Sequence, residues 1–146
     1  KFKSGHETDL AVKLFSIAIS RIRAIQENKH RAVLVPIPAS TRDKNRIRYE
    51  EFCRKLSADI GVVDGYGAIT LTADRPQLKG THGQDKTANL QFHPEYIKDK
   101  CVLLLDDLLT TGEGFIQTRR KLIEHGAKFV IGLFLAKTIA FEDEQE

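Results

Sequence analysis

The stretch VLLLDDLLTTGEG, residues 102–114, decides the fold class of this chain. Its first four residues are a short apolar run, which is typical of a strand that is buried on both faces, as parallel strands are. Asp106 and Asp107 follow where that strand should end, and a turn rich in threonine and glycine comes next. Beyond the turn, apolar residues recur at three- and four-residue spacing, which predicts a helix over residues 113–125.

This order of elements suits a ligand that carries both hydroxyl groups and an anion. A helix N-terminus presents free N–H groups and the positive end of the helix dipole, and both attract a phosphate. In open α/β sheets, ligands bind beyond the carboxyl ends of the strands. A plain solvated turn and the acidic pocket of a receiver-like domain are the alternative interpretations. A receiver would need another acidic residue near the end of the first strand, and VPIP at residues 35–38 supplies none.

Length and composition indicate one domain over residues 1–146, with a helix at 1–30, a core at 31–138 and an acidic tail at 139–146. No apolar run reaches the length of a membrane span and the start is polar, so we expect no membrane association and a cytoplasmic protein. The two cysteines, Cys53 and Cys101, lack metal-site spacing, which favours small core residues. The chain begins at Lys1 without an initiator methionine, as a fragment of a longer protein would.

The segment 7–28 is predicted to form one amphipathic helix that caps the sheet and that is also the candidate for a hood over the site. A partner-binding helix is the alternative. Its predicted buried stripe consists of Leu10, Leu14, Ile17, Ala18, Ile22 and Ile25.

The rest of the chain alternates between strand and helix patterns. Strands are predicted at 32–35, 68–71 and 129–135, and a helix at 46–60 that ends at Gly61. The buried side of that helix is predicted to carry Ile47, Phe52, Leu56 and Ile60. The alternation predicts an α/β fold with an open, mainly parallel twisted sheet and flanking helices.

Two loops have both a plain and a functional interpretation. Residues 36–41 contain prolines that cannot continue a central strand, so the segment is either a simple connection or a second anion pocket. The basic residues Arg42, Lys44, Arg46 and Arg48 come directly after it. Residues 72–96 are polar and structureless in pattern, which indicates either a solvated loop or a functional lid.

The segment 102–114 resembles the 5-phosphoribosyl-1-diphosphate (PRPP) binding motif of the type I phosphoribosyltransferases. It departs from that motif at Gly114, where the family usually has Thr or Ser. The chain is most similar to the ComF-like group, whose V-P-x-P loop appears here as VPIP at residues 35–38. The R/K-x-x-N-L-x-x-F pattern of that group is matched by KTANLQF, residues 86–92, with one residue fewer before the Phe. The resemblance covers residues 31–138.

The resemblance implies a role for each matching residue. Asp106 and Asp107 would accept hydrogen bonds from the ribose hydroxyls and would help to hold Mg²⁺, mostly through PRPP oxygens and water. Residues 72–89 would form a lid, from which Lys79 or Lys86 would reach the leaving diphosphate. The groups around the 5-phosphate would be Leu109, Thr110, Thr111, Gly112, Glu113 and Gly114. The diphosphate would be bound by Pro38, Ala39, Ser40 and Thr41.

The resemblance therefore implies a Mg²⁺-dependent phosphoribosyltransferase, which moves the 5-phosphoribosyl group of PRPP to a nitrogen nucleophile and releases diphosphate. Such a site acts by positioning and electrostatics, while a lid excludes water. The alternatives are a non-catalytic module that senses PRPP or a nucleotide, a module that serves in DNA uptake, and a scaffold or toxin-like domain. We expect a homodimer. Nucleic acid is not the favoured partner, because the net charge is only +3.

Overall fold

The computed structural model describes residues 5–39, 41–73, 87–106 and 112–134. Within them the chain forms an α/β fold, in which helices flank a parallel four-stranded sheet of order β2-β1-β5-β6. The strands of this sheet are β1 (Ala32–Pro36), β2 (Val63–Asp64), β5 (Cys101–Asp106) and β6 (Phe129–Phe134). A two-stranded antiparallel sheet pairs β3 (Ile69–Leu71) with β4 (Leu90–Phe92).

Helices cover both faces of the four-stranded sheet and fill most connections between its strands. They are α1 (Gly5–Ser20), α2 (Arg23–Glu27), α3 (Arg42–Asn45), α4 (Glu51–Ile60) and α5 (Glu113–Glu124). A π-helical segment, Arg46–Glu50, joins α3 to α4. Short 3₁₀ turns lie at Lys29–Arg31, Tyr66–Ala68 and Pro94–Tyr96.

The strand predicted from the apolar run at 102–105 is confirmed as β5, and it is the centre of the core. Leu103 and Leu105 pack on one face of the sheet with residues of α1 and α4. Val102 and Leu104 pack on the opposite face, together with Leu122 of α5. Side chains on both faces of β5 are 0% exposed, which explains why the run is continuously apolar rather than alternating.

The N-terminal helix caps the sheet as predicted, but its predicted extent and its predicted face are wrong. The helix ends at Ser20 instead of continuing to residue 28, and the Ser20 hydroxyl donates to the Ile17 carbonyl at 2.6 Å. Such local side-chain bonds compete with the helical backbone ladder. The buried face carries Ala11, Val12, Phe15 and Ile19. The predicted stripe residues Leu10, Leu14 and Ile17 are instead 41%, 41% and 50% exposed, whereas Ile25, the last residue of that stripe, is buried as predicted, in α2.

Both faces of α1 have helical spacing, so periodicity alone does not choose between them. The choice depends on what the helix meets, which is α4. The Phe15 ring packs edge-on against the Phe52 ring of α4, with the two ring centroids 5.8 Å apart. The Lys55 ammonium also pairs with the Asp9 carboxylate at 2.7 Å and so joins the two helices.

The helix predicted at 46–60 begins earlier, at Arg42, and its predicted buried residue Ile47 is 63% exposed. Ile47 lies five residues before Phe52 and therefore falls outside the three- and four-residue spacing of the buried stripe. Asn45 and Tyr49 occupy the buried positions of that stripe. Phe52, Leu56 and Ile60 are buried as predicted, and Gly61 ends the helix in the left-handed conformation at φ 76°.

Three strands differ from the predicted set. The strand predicted at 68–71 is β3, but it lies in the antiparallel hairpin and not in the parallel sheet. The edge strand β2 was not predicted, since it is only two residues long. The region 72–96 was predicted to be structureless, yet its Leu90–Phe92 part forms β4, where two apolar residues alternate with Gln91. That period-two pattern was the available signal.

Of the described helices, none combines the length and the apolar content that are needed to cross a lipid bilayer.

Candidate functional site

The candidate site lies where the chain changes direction across the sheet. From β1 the chain continues outward to β2 on one side, whereas β5 on the other side is followed by β6. The carboxyl ends of β1 and β5 are therefore the topological switch point, the place where diverging loops form the ligand-binding crevice of open α/β sheets. Pro36 of β1 pairs with Leu105 of β5, and the Ile37 N–H donates to the Leu105 carbonyl at 2.8 Å.

The loop 37–41 connects β1 to α3, and its described residues, 37–39 and 41, follow the carboxyl end of β1. Pro38 and Ala39 are buried. The Thr41 hydroxyl accepts from the Lys44 N–H at 3.1 Å and caps α3, so this threonine begins the helix in the usual N-cap manner. Ser40 lies outside the described residues.

One amide of that loop already has a partner inside the protein. The Ala39 N–H donates to Asn45 Oδ1 at 3.0 Å, and Asn45 is only 6% exposed. The family resemblance implied that Ala39 would offer this N–H to the diphosphate. In this structure it stabilises the loop itself, because a buried amide hydrogen bond closes the turn between Ala39 and the first turn of α3.

The second part of the candidate site comes from the end of β5 and the start of α5. Asp106 is the last residue of β5, is 5% exposed and is in register with Phe134 of β6. The chain is described again from Gly112, whose φ of 90° is a left-handed conformation that favours glycine. Gly112 is the N-cap of α5 and has no side chain with which to cap it. Glu113 and Gly114 form the first turn of that helix and are partly exposed.

The position of α5 depends on a close contact with β6. Phe115 lies over Gly132, and a Cβ atom placed on Gly132 would be 2.8 Å from Phe115 Cζ. The Phe115 and Phe134 rings also pack with their centroids 5.3 Å apart. The absence of a side chain at Gly132 thus lets the first turn of α5 approach the sheet.

The basic residues after the loop 37–41 do not act as one group. The side chain of Arg42 donates from Nε to the Leu71 carbonyl at 3.3 Å and from Nη2 to the Thr72 carbonyl at 2.7 Å. The Arg46 guanidinium lies 3.9 Å from the Asp43 carboxylate. Arg48 lies 6.0 Å from the centroid of the Tyr49 ring. Arg42 therefore joins α3 to the end of β3, at the point where the region 74–86 begins.

Several predicted site residues fall outside the part of the chain that the structure describes. Asp107, Leu109, Thr110, Thr111, Lys79 and Lys86 lie outside the described residues, as Ser40 does. The described members are Pro38, Ala39, Thr41, Asp106, Gly112, Glu113 and Gly114. Their elements all meet at the carboxyl edge of the sheet. Among the described residues, no three His, Cys, Asp or Glu side chains gather in the way that a metal-binding cluster would.

Two residues that shape the site were missed by sequence analysis. Asn45 was not singled out, although a buried stripe that places asparagine at a core position is unusual, since asparagine is a poor residue for a helix interior. Arg42 was noted only as part of a basic cluster, and its pairing with carbonyls about thirty residues away had no signal in the sequence.

Comparison with known proteins gives one informative match. No family model matches the chain. Among curated proteins, an orotate phosphoribosyltransferase of Pyrococcus abyssi (strain GE5 / Orsay) is 32% identical over 90 residues, which covers 58% of this chain and 47% of the relative. The chain thus spans about half the length of the curated relative that it matches. This match supports similarity to the type I phosphoribosyltransferases, and it leaves the ComF-like grouping unconfirmed.

Proposed function

We propose that this chain binds PRPP at the carboxyl ends of β1 and β5 and transfers its 5-phosphoribosyl group to a nitrogen nucleophile. The observation that carries the proposal is the position of the acidic motif. Asp106 ends the central strand β5 directly beside the loop that follows β1, at the switch point of the sheet. Similarity to an orotate phosphoribosyltransferase supports the same function.

Each part of PRPP has a complementary part in the proposed site. Asp106 and Asp107 would accept hydrogen bonds from the two ribose hydroxyls, because ionised carboxylates are acceptors only. The 5-phosphate would bind at the N-terminus of α5, which begins after the N-cap Gly112, because the first turn of a helix presents N–H groups and the positive end of its dipole to an anion. The loop 37–41 would hold the diphosphate. The remaining phosphate-binding groups in this proposal are Leu109, Thr110 and Thr111.

The reaction breaks the bond between C1 of the ribose and the diphosphate oxygen and forms a bond from C1 to nitrogen. Positive charge grows on the sugar ring while negative charge grows on the leaving diphosphate, so the site works by positioning and electrostatic stabilisation. Lys79 and Lys86 would lie near the leaving group. The acceptor nitrogen loses its proton to solvent or to a nearby base.

Magnesium fits this chemistry as an ion that is held mainly by substrate. Mg²⁺ prefers oxygen ligands and keeps several waters, and Asp106 supplies a carboxylate at the end of β5. The diphosphate and ribose oxygens of PRPP would supply most of its other ligands, with Asp107 beside them. The ion would neutralise charge on the diphosphate when it is bound.

Calorimetric titration with PRPP and Mg²⁺ tests the site. We expect the wild type to bind PRPP, and Asp106→Asn and Asp107→Asn to bind at least tenfold more weakly. Asp99→Asn is a matched control, because Asp99 is exposed in the turn that precedes β5, at the opposite end of the sheet. Binding that is unaffected by both site variants would exclude this site.

Release of diphosphate separates an enzyme from a binding module. Orotate is the first acceptor to test, since the curated relative is an orotate phosphoribosyltransferase, and other bases and ammonia follow. Diphosphate release that requires PRPP and an acceptor supports the transferase. Tight PRPP binding without release for any acceptor would indicate a regulatory module instead.

A further inference from the structure

The loop 37–41 is held by two side chains from the single helical turn that follows it. Asn45 makes two hydrogen bonds to this loop. Its side-chain Oδ1 accepts from the Ala39 N–H at 3.0 Å, and its backbone N–H donates to the Thr41 carbonyl at 2.9 Å. The amide is buried, since Asn45 is 6% exposed. An asparagine at this position is unfavourable for the helix and packs less apolar surface than its neighbours in the buried stripe. Its clear contribution is the shape of the loop.

Arg42 ties the same turn to a different part of the chain. Its Nε and Nη2 donate to the carbonyls of Leu71 and Thr72, which are consecutive residues at the end of β3. The planar fork of a guanidinium suits two acceptors at fixed positions, and the ammonium of a lysine does not. Both acceptors are neutral carbonyl oxygens, so these two bonds depend on geometry more than on net charge.

The place where Arg42 attaches is itself well fixed. The Thr72 N–H and hydroxyl both donate to the Asn89 carbonyl, at 2.9 Å and 3.0 Å. The Asn89 side-chain amide donates to the Ala73 carbonyl at 2.9 Å. These bonds extend the β3–β4 hairpin to Ala73, so Arg42 contacts a hydrogen-bonded end of this hairpin.

We propose that Asn45 and Arg42 are positioning residues for the diphosphate of PRPP. Asn45 would fix the shape of the loop 37–41. Arg42 would hold that loop against the end of β3, at Leu71 and Thr72. This inference rests on the proposed function. It adds that the loop has its binding shape before the ligand arrives, which lowers the ordering cost of binding. Neither side chain needs to touch the ligand.

Asn45→Asp tests the first residue. The introduced carboxylate retains an acceptor for the Ala39 N–H but places negative charge behind the loop. We expect the Kd for PRPP and for inorganic diphosphate, each with Mg²⁺, to rise at least tenfold at pH 8. The ratio of variant to wild-type Kd should fall as the pH is lowered toward 5, because protonation removes the added charge. Unfolding curves of Asn45→Asp at each pH separate this electrostatic effect from a loss of folded protein, which a buried carboxylate would also make pH-dependent.

Asn45→Ala and a control complete this part of the experiment. Asn45→Ala removes the acceptor and should weaken binding at every pH. Ser57→Ala is the control, since Ser57 is 4% exposed in α4 and its hydroxyl donates to the Arg54 carbonyl, far from the loop. We expect this variant to bind as the wild type does. If Asn45→Asp and Asn45→Ala bind PRPP with wild-type affinity, the role of Asn45 is refuted.

Arg42 is exposed at the protein surface, so we expect its substitutions to leave the buried core intact. If Arg42 acts through its fork, Arg42→Lys and Arg42→Gln should both weaken PRPP binding about fivefold or more, and the loss should persist at high salt. Wild-type affinity in Arg42→Lys would show that only the charge matters and would overturn the proposal for Arg42. Arg46→Lys is the matched control and should bind normally. These variants also test whether the contacts of the loop 37–41 affect PRPP binding if Asn45→Asp fails to fold.

Binding measurements on the wild type distinguish a failure of the proposed function from a failure of the positioning roles alone. If the wild type binds neither PRPP nor diphosphate, the proposed function fails and the positioning roles fail with it. If the wild type binds and the Asn45 and Arg42 variants bind equally well, only the positioning roles fail.

Discussion

Pro36 and Leu105 lie opposite each other in the parallel ladder between β1 and β5, and they are its last paired positions. The loop after β1 and the acidic end of β5 consequently leave the sheet side by side. Two segments that are more than sixty residues apart in the chain thus become neighbours at one edge of the sheet. The proposed function depends on this adjacency, because ribose and diphosphate are adjoining parts of one ligand.

The left-handed glycine at the start of α5 should matter for binding more than for folding. Gly112 and Gly61 have φ values of 90° and 76°, and a Cβ atom would meet nothing within 4 Å at either position. Alanine at each should therefore cost a similar free energy of unfolding, about 1 kcal/mol, from backbone strain. Only Gly112→Ala should weaken PRPP binding, as measured by calorimetry. Equal PRPP affinity in the two variants would contradict a phosphate site at this turn.

The contact between Gly132 and Phe115 should link the sheet to the candidate site. Gly132→Ala places a methyl group 2.8 Å and 2.9 Å from Phe115 ring atoms, so the ring and the first turn of α5 must shift. We expect a loss of roughly 1–3 kcal/mol in the free energy of unfolding, together with weaker PRPP binding. Combining Gly132→Ala with Phe115→Leu should provide room for the methyl group. The double variant should recover part of the lost stability and part of the lost PRPP affinity. Additive losses in the double variant would show that the two positions do not interact.

The buried face of α1 can be checked with two neighbouring residues. Phe15 is 7% exposed and packs on Phe52, whereas Leu14 is 41% exposed. Chemical denaturation should show that Phe15→Ala lowers the free energy of unfolding by about 3–5 kcal/mol. Leu14→Ala should change it by about 0.5 kcal/mol or less. The opposite ranking would support the face that periodicity alone had indicated.

The buried cysteines should make the fold sensitive to alkaline pH. Burial raises the pKa of the Cys101 thiol from its ordinary value of 9.0 to about 11, and burial also raises that of Cys53. Between those two pH values the unfolded chain has lost the Cys101 proton while the folded chain keeps it, so stability falls as the pH rises. The loss should be of order 2 kcal/mol from pH 9 to pH 11.

Cys101→Ala is the control for that measurement. Unfolding curves at pH 7, 9 and 11 should show a smaller alkaline loss in this variant than in the wild type, because the remaining dependence comes from other groups. One of these is Lys55, whose pKa is raised by its hydrogen bond to Asp9 and by that to Glu51. An unchanged pH profile would refute the contribution of Cys101. Both thiols should also resist thiol reagents until the protein unfolds.

The amino-acid sequence by itself determined the central strands and the helix after the acidic motif. Apolar runs at β1 and β5 are continuous because each strand is covered on both faces, and this signal is local. The same holds for the end of α4 at Gly61, where only glycine adopts the required conformation without strain. The order of strand, acidic pair, turn and helix in residues 102–114 likewise predicted an α/β fold and a candidate anion site at one edge of its sheet.

Tertiary structure alone decided which of two equally periodic faces of α1 is buried, because the choice depends on its fit against Phe52 of α4. It also decided that the strand at Ile69–Leu71 pairs with Leu90–Phe92 in a separate hairpin, since pairing partners are not local properties of a strand. The same reason applies to Asn45 and Arg42. Their hydrogen bonds to Ala39, Leu71 and Thr72 form only when the chain has folded and these segments lie together. No residue spacing in the sequence predicts them.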